Sequence, residues 1–233
     1  MHKIFPVRSF AYLISVLTLG IFLIIELATN AFGLEVRLLA IPGIVWALMI
    51  ALSFNPIWRA VWKLSKKVAF LPDLNVAVFP DLNGTWDMQL ESNWSRQEQL
   101  LEASTDRRKS FDIRKCDAEE LAPLMSMTLR AEIEQNWWSI KMTVTNPNQD
   151  SPIKESKTYI AIPRKKSEHT PASLCYFYDQ TNETDSLSDD PIFSAAACLS
   201  YDEGRDRLEG TFWTARQWRR AINTAGKLTL IRG

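Results

Sequence analysis

Residues 84 to 94 read GTWDMQLESNW; Trp86, Met88 and Leu90 alternate with Asp87, Gln89, Glu91 and Asn93, and Trp94 continues the apolar face. Side chains of an extended chain point to opposite faces in turn, so this is a strand with one dry and one wet side. The pattern recurs at 124–134, 137–145, 156–163, 172–179, 192–201, 207–216 and 227–232. In the third strand Trp138, Ile140, Met142 and Val144 share the apolar face; in the sixth, Ala195 and Ala197 leave room between Phe193, Leu199 and Tyr201. Residues 95–120 are polar and read as a loop with a short helix around Ser95 to Glu102. Eight sequential antiparallel strands close into an up-and-down, lipocalin-like β-barrel, whose interior takes side chains or one small ligand. A two-sheet sandwich fits the same alternation, which does not show whether the first and last strands meet.

Upstream the pattern changes. Residues 9–25, SFAYLISVLTLGIFLII, carry no charge, and neither do residues 38–58. Each run is long enough to cross a bilayer core, and apolar residues occur on all sides of both. The first is too long for a secretory signal peptide and a second follows at once. The expectation is an all-β barrel behind a two-helix transmembrane hairpin: residues 1–67 the anchor, with spans about 10–29 and 38–57, residues 68–83 a linker, and residues 84–233 the barrel. Lys3 and Arg8 precede the first span and Arg59, Lys63, Lys66 and Lys67 follow the second, which by the positive-inside rule puts both termini and the barrel in the cytoplasm. Trp58 and Trp62 at the exit read as a collar at headgroup level.

The net charge of +0 is uneven: residues 1–80 hold 7 basic and 3 acidic side chains, leaving 20 basic and 24 acidic downstream. A mildly acidic domain argues against DNA or RNA as a partner, because such binding rests on broad phosphate neutralisation. Cys116, Cys175 and Cys198 are odd in number and form no C-x-x-C pair, so neither a disulfide framework nor a metal site is expected, and reduced thiols suit a cytosol. No phosphate-binding glycine loop or nucleophile motif occurs, and His169, the only histidine after residue 2, sits in a polar loop. The pairs Glu119–Glu120 and Asp189–Asp190 lie in loops as well. No enzyme activity and no cofactor are expected.

The segment 208–218, LEGTFWTARQW, carries the candidate site. If Leu208, Gly210 and Phe212 face inward, period two sends Thr214 and Arg216 inward too, and a buried arginine needs a carboxylate or an anionic ligand. Otherwise Arg216 lies beyond the last ring of the barrel, in water. Trp94, Tyr176, Tyr178 and Tyr201 share the inner face by parity; those at the open end with Arg216 could stack on a nucleobase.

Two spans, then LNGTWDMQLESNW at 82–94, then LEGTFWTARQW at 208–218 and GKLTLIRG at 226–233, resemble the two-transmembrane, β-strand-rich (S-2TM-beta) effectors of bacterial CBASS anti-phage signalling. The likeness covers the whole chain; its Gly-x-Trp opening is shared with lipocalin and avidin barrels. The resemblance implies a barrel that senses a cyclic dinucleotide made by a partner synthase, self-association on binding, disruption of the bacterial inner membrane and death of the infected cell. It supports Thr214 and Arg216 as ligand contacts; Trp94 and the tyrosines rest on parity alone. The rival readings are a membrane-tethered, lipocalin- or avidin-like carrier of an apolar or neutral molecule, and a tethered scaffold whose barrel is filled by its own side chains.

Overall fold

The computed structural model describes residues 1–33, 40–68, 72–106, 108–109, 111–148, 153–183 and 190–233. They fall into two compact units, one of Met1–Asp81 with Gln135–Ile140 and one of Leu82–Glu134 with Lys141–Gly233.

The first unit is helical. Helix α1, Val7–Phe32, ends at Gly33, whose φ of 65° is the left-handed cap that glycine adopts at little cost. Its 26 residues reach about 39 Å at 1.5 Å each, more than the ~30 Å of a bilayer core. It is the one described helix long and apolar enough to cross a membrane by itself, and none of its span is buried against protein. Two of its hydroxyls bond back to the backbone: Ser15 Oγ donates to the Ala11 carbonyl at 3.0 Å and Thr18 Oγ1 to that of Ile14 at 2.8 Å.

The second expected span is not one helix. Residues 38 and 39 lie outside the described residues; the rest forms α2, Ala40–Ala51, and α3, Asn55–Lys67, bent by 90° across the break. Phe54 is extended and Pro56 sits in the first turn of α3, where its missing N–H and fixed φ start a new helix but cannot continue an old one. Twelve residues of α2 reach about 18 Å, short of a bilayer core. Nor do Trp58 and Trp62 form a collar: they are 0% and 2% exposed, their rings stack at 4.2 Å, and Trp62 Nε1 donates to the Phe79 carbonyl at 2.9 Å. The expected linker also has structure, a short helix α4, Leu74–Ala77, capped by Asp73, whose side chain accepts from Asn75 N at 2.9 Å.

The second unit is built from strands β1 Gly84–Ser92, β2 Met125–Gln135, β3 Ile140–Thr145, β4 Ile153–Arg164, β5 Ser173–Asn182, β6 Ile192–Asp202, β7 Arg207–Thr214 and β8 Ala225–Arg232. They close in sequence order into an antiparallel barrel. β1 pairs with β2 on one side and β8 on the other, Leu90 lying opposite both Met127 and Leu228, which excludes the sandwich. Inward positions carry the core, with Trp86, Leu199, Leu208 and Leu230 all 0% exposed. A bulge between Thr158 and Ile160 turns Tyr159 and Ile160 both outward.

Three strand assignments need correction. Trp94 is not on β1 but opens α5, Trp94–Thr105, because the chain turns at Asn93. Trp137 and Trp138 precede β3: Asn136 Oδ1 accepts from Trp138 N and Ser139 N, both at 2.9 Å, a side-chain turn that ends extended backbone. Both indoles belong to the first unit, where Trp138 Nε1 donates to the Met49 carbonyl at 3.2 Å. β7 stops at Thr214, so Arg216 is not on a strand.

The expectation of three reduced cysteines also fails. Cys175 and Cys198 face each other in the β5–β6 register and form a disulfide, leaving Cys116 as the free cysteine among the described residues. They are 23 residues apart, a spacing that signals nothing until the hairpin register is known.

Candidate functional site

The six nominated side chains do not make one site. They divide among the barrel's two ends and its interior.

At the end where β1 finishes, Asn93 joins β1 to β8, its backbone N–H donating to the Ala225 carbonyl and its Oδ1 accepting from Ala225 N, each at 3.0 Å. Trp94 follows, and the Arg216 guanidinium lies over its ring at 4.5 Å. Both are half-buried, so Arg216 lies at this end of the barrel, neither inside it nor fully in water. A cation centred on an indole is attracted by the ring quadrupole and loses part of its hydration. Thr214 is buried beside this pair, and its hydroxyl is engaged: Oγ1 accepts from Thr224 N at 3.0 Å and lies 3.2 Å from the Thr224 carbonyl. It closes the β7–β8 connection, and a ligand would have to compete with that turn for it.

The connection is built around Gln217 and Ala221, both with left-handed backbone at φ of 43° and 57°. Asp190 fixes it by accepting from Gln217 N at 2.8 Å and from Gln217 Nε2 at 2.5 Å. Such strained positions persist only where neighbours hold them. They present Trp218, which is 63% exposed, with the Arg219 guanidinium 4.9 Å from its ring centre. Arg220 is exposed alongside. The mouth thus carries two arginine–tryptophan pairs. The sequence reading of 208–218 stopped at Arg216; the cluster ArgGlnTrpArgArg at 216–220 is the signal that marks the second pair.

In the interior, Tyr176 and Tyr178 are buried with ring centres 5.6 Å apart. Tyr178 lies opposite Ala195 on β6, which on its other side faces Thr214 of β7; Tyr176 lies opposite Ala197, which faces Phe212. The tyrosines occupy the room the alanines leave. A cavity of about 20 Å³ remains, lined by Met88, Leu90, Thr158, Tyr176, Tyr178 and Gln180 among others, which is space for about one water molecule. Burial raises both phenol pKa values, Tyr176's further through the neighbouring Tyr178, so both stay neutral donors at ordinary pH. Thr158 Oγ1 is buried there without a hydrogen-bond partner among the described residues.

Tyr201 sits at the opposite end of the barrel, where β1 starts. Its hydroxyl donates to Asp206 Oδ1 at 2.7 Å, and burial, then this carboxylate, raise its pKa. Asp206 also takes Arg232 Nε at 2.6 Å; Arg232 Nη1 donates to the Asn83 carbonyl at 2.6 Å, and its guanidinium lies 4.3 Å from the centre of the Trp86 ring. The arginine that pairs with a carboxylate at a barrel end is therefore Arg232, on an Asp206 that is itself half-exposed. Sequence reasoning missed it because Asp206 reaches it only when β8 closes on β1.

His169, Glu119 and Glu120 are exposed, and Asp189 lies outside the described residues. Among the described residues no cluster of three or more metal-binding side chains occurs. No protein-family model matches the chain, and no curated protein matches it at a meaningful level of similarity.

Proposed function

We propose that the chain is a membrane-anchored sensor whose barrel mouth binds a cyclic dinucleotide, and that binding acts on the bilayer through self-association and not through catalysis. In this reading it is an effector of anti-phage defence, supplied with ligand by a separate synthase. The observation that carries it is the mouth itself. Arg216 over Trp94 at 4.5 Å and Arg219 over Trp218 at 4.9 Å pair cations with aromatic faces, the combination that suits phosphates and stacked bases in an otherwise acidic domain. The ligand belongs at the mouth because the interior cavity, about 20 Å³, is far below the ~300 Å³ at which small-molecule pockets begin. The same figure argues against a carrier of an apolar molecule.

The anchor is α1, whose surface is apolar apart from Arg8, Glu26 and a few neutral polar side chains; α2, as part of a broken second span, would make the protein multi-pass. The basic flanks favour a cytoplasmic barrel in an inner membrane. The Cys175–Cys198 disulfide fits that side least, since a cytosol keeps thiols reduced.

A second reading has its own support: a filled interior with Tyr176 and Tyr178 buried is what a ligand-free scaffold on a membrane anchor requires. Calorimetry of the full chain in detergent against a panel of cyclic dinucleotides separates the two. The sensor binds one of them, more weakly as salt rises, and Arg216→Ala loses roughly ten- to a hundredfold in affinity, the equivalent of a charge-assisted contact. Absence of binding by every member of the panel leaves the scaffold.

A further inference from the structure

Helix α3 has three faces. Trp58, Trp62 and Ser65 are buried within the helical unit. Next to them Phe54, Ile57, Val61 and Leu64, spaced three, four and three apart, form a stripe along one side of the helix and its cap, and they are 57%, 45%, 38% and 56% exposed. Beyond the stripe Lys63, Lys66 and Lys67 are exposed, and the helix contains no acidic residue. Arg59 is turned to Asp81 at 3.4 Å. A helix on a water-facing surface puts polar residues on its open side. On α3 the open side is apolar residues and lysines with almost nothing else.

We infer that α3 lies in the plane of a bilayer surface, with Phe54, Ile57, Val61 and Leu64 among the acyl chains and the three lysines at anionic headgroups. The inference rests on the membrane anchoring proposed for α1 and adds a second, different contact. Two features select a lipid surface over a protein partner. The 90° bend between α2 and α3 sets α3 along the membrane plane when α2 runs along the normal. The lysine rim also complements anionic headgroups, which attract such charges near the membrane surface. α2 also exposes apolar side chains, Trp46 being 66% exposed.

The test places a photoreactive benzophenone amino acid, one site at a time, at Ile57, Val61, Leu64 and, as control, Lys63. The full chain is reconstituted in vesicles of neutral phosphatidylcholine with or without anionic phosphatidylglycerol. Mass spectrometry reads lipid adducts, and alkaline carbonate extraction of the same vesicles reads anchoring. The expected result is a chain that resists extraction, with lipid adducts at 57, 61 and 64 several-fold above those at 63. In anionic vesicles the variant combining Lys63→Glu, Lys66→Glu and Lys67→Glu brings those adducts down to the level in neutral vesicles. A chain that resists extraction but gives no excess at 57, 61 and 64, or gives protein adducts there, overturns the role of α3 and leaves the α1 anchor standing. Extraction with the stripe adducts retained overturns the anchor and leaves α3 as the membrane contact. Extraction with no adducts overturns both.

Discussion

The two ends of the barrel each hold an arginine over a tryptophan, and the two pairs are built differently. Arg232 over Trp86 is tied to the Asp206 carboxylate and the Asn83 carbonyl, and its tryptophan is wholly buried with Nε1 donating to the Leu82 carbonyl at 2.9 Å. Arg216 over Trp94 stands on a helix start and a loop, half-buried, next to the exposed Trp218. The first pair seals an end; the second leaves one open. The same two residue types at similar ring distances therefore do not have the same role, and what separates them is the backbone on which they stand.

Substituting the tryptophans tests this most strongly. Trp86→Ala removes a fully buried indole and should destabilise the barrel by about 3–5 kcal/mol, whereas Trp94→Ala should cost about 1 kcal/mol or less, read as denaturation midpoints of the chain in detergent. Equal losses would erase the distinction between a sealed and an open end. The arginines give the next largest difference. Arg232→Ala takes the cation from the half-exposed Asp206 carboxylate and one donor from the Asn83 carbonyl, for an expected loss of about 1–2 kcal/mol; Arg216→Ala should leave stability within about 1 kcal/mol while lowering ligand affinity about ten- to a hundredfold. A large stability loss from Arg216→Ala would make the mouth structural.

The smallest effect concerns pH. Tyr176, Tyr178 and Tyr201 have folded pKa values raised above the ordinary 10.0, so above pH 10 the folded barrel holds protons that the unfolded chain releases. Their contribution to stability is complete below pH 10 and declines as pH climbs from there toward the folded values. Phenolate absorbance of these three should appear together with loss of near-ultraviolet dichroism. Phenolate formation by these three near pH 10 in a barrel that is still folded would show that the interior admits water.

How far the sequence could be read follows from which constraints are local. Period-two alternation is local, and it located all eight strands and the inward set from Trp86 to Leu230. Closure is not local: it became visible only when Leu90 met both Met127 and Leu228. Charge-free length showed α1 correctly but said nothing about direction, so the bend before Pro56 went unread although the proline was in view. Trp94, Trp137 and Trp138 were assigned by hydrophobicity, when the side chains of neighbouring asparagines and the turns they hold decide where a strand ends. At the candidate site, Arg216, Thr214 and Trp94 lie at one end, although Arg216 is off its strand and Trp94 opens a helix. Tyr201 went to the other, because sharing an inner face does not mean sharing a height along the barrel axis.

Closure also sets an order in time. One edge of β1 is covered only by β8, and the chain between Ser92 and Ala225 must be synthesised before that edge finds its partner, which takes roughly 7–30 s at ribosomal speed. During that interval α1 has already emerged, and an apolar helix directs a nascent chain to a membrane well before the barrel can exist. An unpaired strand edge is an invitation to pair between molecules. The outer face of β1 carries Asp87, Gln89 and Glu91, charged and polar side chains of the kind that blunt an exposed strand edge.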